Sequence, residues 1–183
     1  MINLVTILTV FLLLSLTSSY GAAMEKIPGT DVKADYRIVN AFTELDFKVK
    51  YDRNLECSGI FSVKEHSIIL QKRNRVWTLH EMGHFLSRLQ QSADSTKKFK
   101  YIYQAEKYKY KSLPGKKDKK YVTKNCKEYF AQSFADYTIR PSILKKNRPG
   151  TYTYIKKQVE SITGEDIAAM REAYGWAWSE DGE

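Results

Sequence analysis

Hydrophobic and polar positions change their spacing along the chain, and each spacing predicts a different kind of element. Residues 46–51 alternate polar and apolar side chains with a period of two, which is typical of a half-buried strand. Residues 59–63 and 67–71 predict two further strands, and the polar residues 64–66 between them indicate a hairpin. The first half of the chain therefore predicts a small β-sheet.

Helical spacing follows this sheet. Val76, Leu79, Gly83 and Leu86 recur on one stripe, which predicts a helix over Val76–Leu89. Together with the strands, the helical segments predict an α+β fold that is mostly helical, with a small β-sheet preceding the Val76–Leu89 helix. Other segments with helical spacing are 31–42 (with Asp31 as the cap), 125–139, 152–161 and 165–174.

The N-terminal residues 1–23 contain no charged side chain, and the run from Ile2 to Leu16 is strongly apolar. This run is shorter than the roughly 20 apolar residues of a membrane-spanning helix. Small residues at positions 21–23 resemble a signal-peptidase site. We therefore predict a signal peptide over 1–23, secretion, and a mature domain over 24–183 without a membrane span; an uncleaved anchor is the alternative.

The formal net charge of +9 is concentrated in one segment. Between Lys97 and Lys127 twelve lysines face only two acids, Glu106 and Asp118. Because no basic field covers the rest of the chain, a general nucleic-acid binder is not expected. The segment Lys97–Lys127, with its tyrosines and a turn predicted at Pro114-Gly115, is either a solvated insertion or a surface that attracts an acidic peptide, an anionic polymer or a membrane.

The chain has two cysteines, Cys57 and Cys126. In an exported protein an even pair favours one disulfide, with two free thiols as the alternative. Two isolated cysteines cannot supply a cysteine-rich zinc site.

The segment HEMGH carries the candidate chemistry. On a helix, His80 and His84 lie one turn apart, so both imidazoles can bind one metal. A carboxylate beside them, Glu81, can take a proton from a water molecule that zinc activates. Gly83 lets a second element approach this helix closely. A chance match would leave the two histidines merely solvated.

A catalytic zinc has three protein ligands. His84 is not followed by the longer pattern with a third histidine, which excludes a metzincin, and His66 is expected to lie on the surface in the hairpin turn. Glu128, in the first turn of the helix NCKEYFAQSFADY, is either a capping residue or the third ligand. Its apolar neighbours favour the ligand, because a buried carboxylate requires a strong partner.

HEMGH, Tyr121 and the glutamate of KEYFAQSF together resemble the catalytic domain of anthrax lethal factor and the related Pro-Pro endopeptidases, over roughly residues 55–160. The resemblance implies a zincin-like metallopeptidase domain. It further implies that His80, His84 and Glu128 bind zinc, that Glu81 is the general base, and that Tyr121 stabilises the transition state. Gln132 departs from the family, which has a second acid four residues beyond the ligand glutamate.

These observations predict a secreted zinc-dependent endopeptidase that binds one zinc ion per chain, acts on a peptide or protein, and is a monomer. We expect a sheet-edge strand to pair with the extended substrate. Two alternatives remain: a catalytically silent binding or toxin-like module on a zincin fold, and a basic module that binds anionic surfaces through Lys97–Lys127. The residues predicted to form the edge strand are Ser67, Ile68, Ile69 and Leu70.

Overall fold

The computed structural model describes residues 23–112 and 118–178. Most of the predicted signal peptide, the predicted Pro114-Gly115 turn and the last five residues lie outside the described residues. No helix among the described residues is both long enough and apolar enough to cross a membrane. The strands are β1 Met24–Lys26, β2 Lys33–Asp35, β3 Lys48–Tyr51, β4 Gly59–Ser62 and β5 Ser67–Leu70. The α-helices are α1 Tyr36–Glu44, α2 Arg75–Leu89, α3 Lys97–Glu106, α4 Lys119–Val122, α5 Cys126–Ile139, α6 Pro141–Asn147, α7 Pro149–Glu160 and α8 Gly164–Tyr174.

The main sheet has three strands in the order β3-β5-β4. β3 pairs with β5 in parallel, and β4 and β5 form the predicted antiparallel hairpin. Strand β5 is therefore the central strand, so the prediction that Ser67, Ile68, Ile69 and Leu70 form an edge is wrong. The edges of this sheet are β3 and β4.

The predicted helix over 31–42 is wrong at its start. Residues 33–35 pair with β1 as a short antiparallel strand, which excludes them from a helix. α1 then begins at Tyr36, and its cap is Asp35, whose carboxylate accepts hydrogen bonds from the backbone and side chain of Arg37. Asp35, and not Asp31, is thus the residue that ends the extended backbone.

Helices α2 and α5 form the centre of the domain and cross in close contact. Gly83 of α2 faces Ala131 of α5, and a Cβ atom at Gly83 would lie 2.7 Å from the Ala131 Cα atom and carbonyl oxygen. The predicted role of Gly83 in a close approach is confirmed. The absence of a side chain there brings the first turn of α5 next to the middle of α2.

The lysine-rich segment is part of the core on one face. Phe99 and Tyr103 of α3 are buried, and the Phe99 ring lies 5.1 Å from that of Phe130 in α5. The buried carboxylate of Glu106 accepts hydrogen bonds from the first turn of α7, at the backbone of Gly150 and Thr151. The segment is therefore not a fully solvated insertion, because α3 is anchored to both α5 and α7.

The two helices predicted near the C-terminus are present as α7 and α8, each starting one to three residues earlier than predicted. α6 was not predicted. Pro141 ends the preceding helix but also occupies the first position of α6, where a missing N–H group costs nothing. With these helices, the prediction of a mostly helical α+β domain with a small sheet before α2 is confirmed.

Candidate metal centre

Helix α2 places the side chains of His80 and His84 on the same face of the helix. Asn74 caps the helix by accepting hydrogen bonds from the backbone N–H groups of Val76 and Trp77, which fixes its first turn. The two imidazole rings lie 5.0 Å apart between centroids. The His80 side chain is fully buried, whereas His84 is partly exposed, so the pair spans the boundary between core and surface.

Glu128 approaches the same point from α5. Its Oε2 atom lies 3.0 Å from His80 Nε2 and 3.7 Å from His84 Nε2. Asn125 caps α5 by accepting a hydrogen bond from the Glu128 backbone N–H, at 2.9 Å. The cap is therefore made by Asn125, while the Glu128 carboxylate is directed at the histidines. One ligand atom from each of the three residues lies within 4.8 Å of the others.

The chemistry of this donor set fits a zinc ion. Two imidazole nitrogens and one carboxylate oxygen are a known ligand set of catalytic zinc, which keeps a further position open for water or substrate. Burial alone would raise the pKa of Glu128, but the hydrogen bond with His80 and the nearby imidazole of His84 hold this pKa well below its ordinary value. The carboxylate is therefore an anion, the form in which it binds a metal.

Glu81 is held beside this cluster by strand β4. Its Oε2 atom accepts a hydrogen bond from the backbone N–H of Phe61 at 3.0 Å, and its side chain is almost fully buried. Gly59 makes this contact possible, because a Cβ atom there would lie 3.1 Å from Glu81 Cγ and Oε1. The strand therefore fixes the orientation of the candidate general base.

Tyr121 lies in the short helix α4 and lines the same cleft as Glu81. Burial, the negative charge of Glu128 and a hydrogen bond to that carboxylate raise the pKa of Tyr121. Its hydroxyl is therefore protonated at neutral pH and able to donate. The Tyr121 ring centroid lies 6.3 Å from that of His80.

Lys124 is a site residue that the sequence interpretation did not include. Its Nζ atom lies 3.6 Å from Glu128 Oε1 and 3.9 Å from the centroid of the Tyr121 ring. It thus contacts the Glu128 oxygen opposite the one that faces the histidines. Lys124 lies in the turn between α4 and α5, just before the Asn125 cap, so helical spacing does not predict its contact with Glu128.

These groups surround a cleft of about 460 Å³, a size within the range of ligand sites. Strand β4 forms one wall, and residues of α2, α4, α5 and the short segment 92–95 form the others. Outside the catalytic candidates, the lining includes Cys57, Ile60, Arg88, Asp94 and Lys127. The cleft is thus bounded by β4, and not by the central strand Ser67–Leu70.

The hydrogen-bond pattern between β4 and β5 shows which backbone groups of β4 point away from β5. In an antiparallel pair, alternate residues direct both peptide groups away from the partner strand. Ser58 accepts a hydrogen bond from Gln71 of the partner, and two residues farther Ile60 lies opposite Ile69, so Gly59 and Phe61 are the outward-facing residues. The hydrogen bond from Phe61 to Glu81 agrees with this assignment.

The remaining histidine, His66, lies in the hairpin turn away from the metal cluster, as predicted, but its ring is half-buried and not fully exposed. Its ring stacks on Trp178 with centroids 4.2 Å apart and contacts Phe47 edge-on at 4.4 Å. A ring nitrogen also hydrogen-bonds the carbonyl oxygen of Leu45. His66 is therefore a half-buried packing residue, and the described part of the C-terminus packs against it through Trp178.

The expected disulfide is absent from the structure, since Cys57 and Cys126 are both free. Cys57 is exposed at the mouth of the cleft, where its Sγ atom lies 3.4 Å from the Gly59 carbonyl oxygen. Cys126 is the first residue of α5.

Gln132 occupies the position of the second acid of the family. Its side chain is fully buried and donates a hydrogen bond to Asp136.

Comparison with known proteins agrees with this geometry. The fold and the cluster define a zincin-like domain of the zinc metallopeptidase type. Residues 46–158 match the family described as "Anthrax toxin lethal factor, N- and C-terminal domain", and this chain therefore belongs to that family. No curated protein sequence gave a significant match.

A solved structure shares the fold. The Pro-Pro endopeptidase PPEP-2 from Paenibacillus alvei superposes with a TM-score of 0.51 at 19% sequence identity. The match covers 66% of this chain and 82% of that chain. Together with the family match, it confirms both the resemblance to lethal factor and the Pro-Pro endopeptidases and the zincin-like fold.

Proposed function

We propose that this chain is a secreted zinc-dependent endopeptidase. The observation that carries the proposal is the convergence of His80, His84 and Glu128 at a cleft that Glu81 also lines. A donor set of this kind beside a fixed carboxylate is what metal-assisted peptide hydrolysis requires.

Three atoms would hold one zinc ion per chain: Nε2 of His80, Nε2 of His84 and Oε2 of Glu128. Zinc would supply Lewis acidity to the reacting water and to the scissile carbonyl. Glu128 is supported in this role by Lys124, which occupies its other oxygen. The burial of His80 keeps one side of the cluster dry, so the open side faces the cleft.

Glu81 is the proposed general base and then the general acid. Its carboxylate accepts the proton of the attacking water and passes that proton to the nitrogen of the leaving amine. The hydrogen bond from Phe61 keeps it in position for both transfers. Tyr121 is the proposed electrophilic helper: its hydroxyl turns from Glu128 to donate to the oxyanion that forms on the scissile carbonyl.

The substrate is proposed to bind as an extended strand along β4. The outward-facing peptide groups of Gly59 and the carbonyl of Phe61 offer the backbone hydrogen bonds that a β-strand substrate uses. This assignment replaces the central strand Ser67–Leu70 as the substrate-binding element.

The proposal that the protein is secreted rests on the apolar residues 1–23. N-terminal sequencing of the exported protein would test it by locating the cleavage site.

The catalytic proposal is tested by comparing wild type with Glu81→Gln for zinc content and for cleavage of a peptide library. We expect one zinc ion in each protein and a fall in kcat of about 10³-fold in the variant, the usual contribution of a general base. Glu165→Gln, which removes an exposed carboxylate on α8, is the matched control and should leave kcat unchanged. Equal cleavage by wild type and Glu81→Gln would refute the mechanism. Zinc binding by a wild type that cleaves no peptide would favour the silent binding module.

Tyr121→Phe separates electrophilic assistance from metal binding. We expect a lower kcat, by about 100-fold for a single oxyanion donor, with the zinc content unchanged. Loss of zinc from this variant would show instead that Tyr121 supports the metal site.

A further inference from the structure

The lysine-rich segment forms an exposed basic surface that adjoins the cleft. We define this basic surface as Lys107, Lys109, Lys119, Lys120, Lys124 and Lys127. Five of these six lysines are exposed and Lys107 is half-buried. In residues 23–112 and 118–178, Lys124 is the one member of the six that forms an ion pair.

The two acids of the segment do not neutralise this surface. Glu106 is buried, and both of its oxygens accept hydrogen bonds from Gly150 and Thr151 at the start of α7. Its charge is therefore directed into the protein. Asp118 caps α4 by accepting a hydrogen bond from the Lys120 backbone N–H. Asp118 is exposed and keeps its negative charge, but one carboxylate offsets only one of the lysines, so the surface remains strongly positive.

Hydrogen bonds connect the surface to the candidate active site. Lys119 Nζ donates to the carbonyl oxygen of Tyr108, which joins α4 to the end of α3. The Tyr103 hydroxyl donates to the carbonyl oxygen of Thr123 at 2.7 Å, next to Lys124. Lys127 itself lines the cleft. Lys124 contacts two further lining residues, Glu128 and Tyr121, so the basic surface begins at the cleft.

We propose that the basic surface binds an acidic segment of the protein substrate that lies to one side of the scissile bond. This inference rests on the proposed function and names its substrate class: polypeptides with a run of Asp or Glu outside the cleft. Each exposed ion pair contributes only about 0.2–1 kcal/mol, so several together are needed to set preference. Because the charges are exposed, the effect weakens as salt concentration rises.

The test uses two fluorescein-labelled peptides with the same cleavable core, one flanked by four glutamates and the other by four glutamines. We expect the acidic flank to lower KM about tenfold for the wild type at low salt, with kcat unchanged. Salt at about 0.3 M should remove most of this difference in KM, because it shortens the Debye length to below about 8 Å. A triple variant, Lys109→Gln, Lys119→Gln and Lys120→Gln, should bring the KM ratio of the two peptides close to one. Lys124 and Lys127 are left intact because they contact the site.

A control variant removes the same number of charges elsewhere: Lys26→Gln and Lys33→Gln on the β1–β2 hairpin, and Lys64→Gln in the β4–β5 turn. It should retain the wild-type preference for the acidic flank. Equal KM values for the two peptides in wild type, or an equal loss in both triple variants, would overturn the proposal. Tight binding of heparin or anionic vesicles without a preference for the glutamate flank would overturn it in favour of a polymer or a membrane.

Failure of this inference is distinguishable from failure of the proposed function. Fluorescence anisotropy with the Glu81→Gln protein measures binding of the two peptides without turnover. Preferential binding of the glutamate-flanked peptide, together with no cleavage by wild type, would reject the peptidase and keep the basic surface. Cleavage by wild type with no such preference would do the reverse.

Discussion

The candidate metal centre and the basic surface are adjacent, but they use charged side chains in opposite ways. At the metal centre His80 and Glu81 are buried and each is held by a neighbouring element. On the basic surface the lysines project into solvent, and the nearby acid Glu106 is turned inward to anchor α7. Fixed geometry is what chemistry at a metal needs, whereas an exposed cluster of one charge attracts a partner over a longer range.

The two regions also depend on different packing contacts within the domain. The contact between α2 and α5 determines whether the three candidate ligands meet. The anchoring of α3 determines where the lysines lie. Substitutions in one region should therefore leave the other largely intact, and Glu128→Ala, Gly83→Ala and Glu106→Gln test this separation.

The largest expected effect is on zinc affinity. Glu128→Ala removes one of three candidate ligands and should weaken zinc binding by more than about 100-fold, beyond the range seen for residues that only support a ligand. His66→Ala removes the remaining imidazole and should leave zinc affinity unchanged. Competition with a chromophoric chelator measures both. Equal losses would mean that Glu128 is not the third ligand.

A smaller effect is expected from closing the gap between the helices. Gly83→Ala places a methyl group 2.7 Å from the Ala131 backbone, so α2 and α5 must separate. We expect the free energy of unfolding to fall by about 2 kcal/mol, as in other overpacked cores, with weaker zinc binding. Gly164→Ala is the control, because a Cβ atom there meets nothing within 4 Å. Urea unfolding of both variants gives the comparison; similar losses would show that the helix contact is not tight.

Anchoring of the lysine-rich segment is tested by Glu106→Gln. Loss of the charged acceptor for the Gly150 and Thr151 groups should lower the free energy of unfolding by about 1.5 kcal/mol. Zinc affinity should not change, because Glu106 contacts α7 and not the metal cluster. A parallel loss of zinc affinity would show that the two regions are coupled.

The smallest effect concerns pH. Burial lowers the pKa of His66, with a hydrogen bond to Leu45 acting in the opposite direction. The folded protein therefore binds fewer protons at this residue than the unfolded chain, whose histidines titrate near about 6.5. The stabilisation is present above that pH and is lost as pH falls through the lowered pKa. Comparing unfolding of wild type and His66→Gln from pH 7 to 5 measures it; the slope of the variant should be shallower, and identical slopes would exclude His66 as the cause.

Much of the metal centre could be predicted because its spacing is local. Residues four apart on a helix share a side, so HEMGH already placed His80 and His84 together, and the buried character of α5 indicated that Glu128 has a strong partner. These are relations within one helix, which the sequence pattern expresses directly. Lys124 was missed because it lies in the turn before α5, where helical spacing does not apply.

Strand order could not be predicted in the same way. The β4–β5 hairpin follows from local patterning, but the parallel pairing of β3 with β5 depends on a long-range contact that places Ser67–Leu70 in the centre. The nearly continuous apolar run Ile68-Ile-Leu was the available signal, because central strands are covered on both faces. The disulfide prediction failed for a similar reason: an even number of cysteines does not determine whether Cys57 and Cys126 meet.

The composition of the metal site is the central claim, and X-ray absorption spectroscopy at the zinc edge tests it most directly. For the zinc-loaded protein we predict only nitrogen and oxygen neighbours, at about 2.0–2.1 Å, from the two histidines and Glu128. A sulfur neighbour near about 2.3 Å would contradict this account, because it would place Cys57, at the mouth of the cleft, among the ligands.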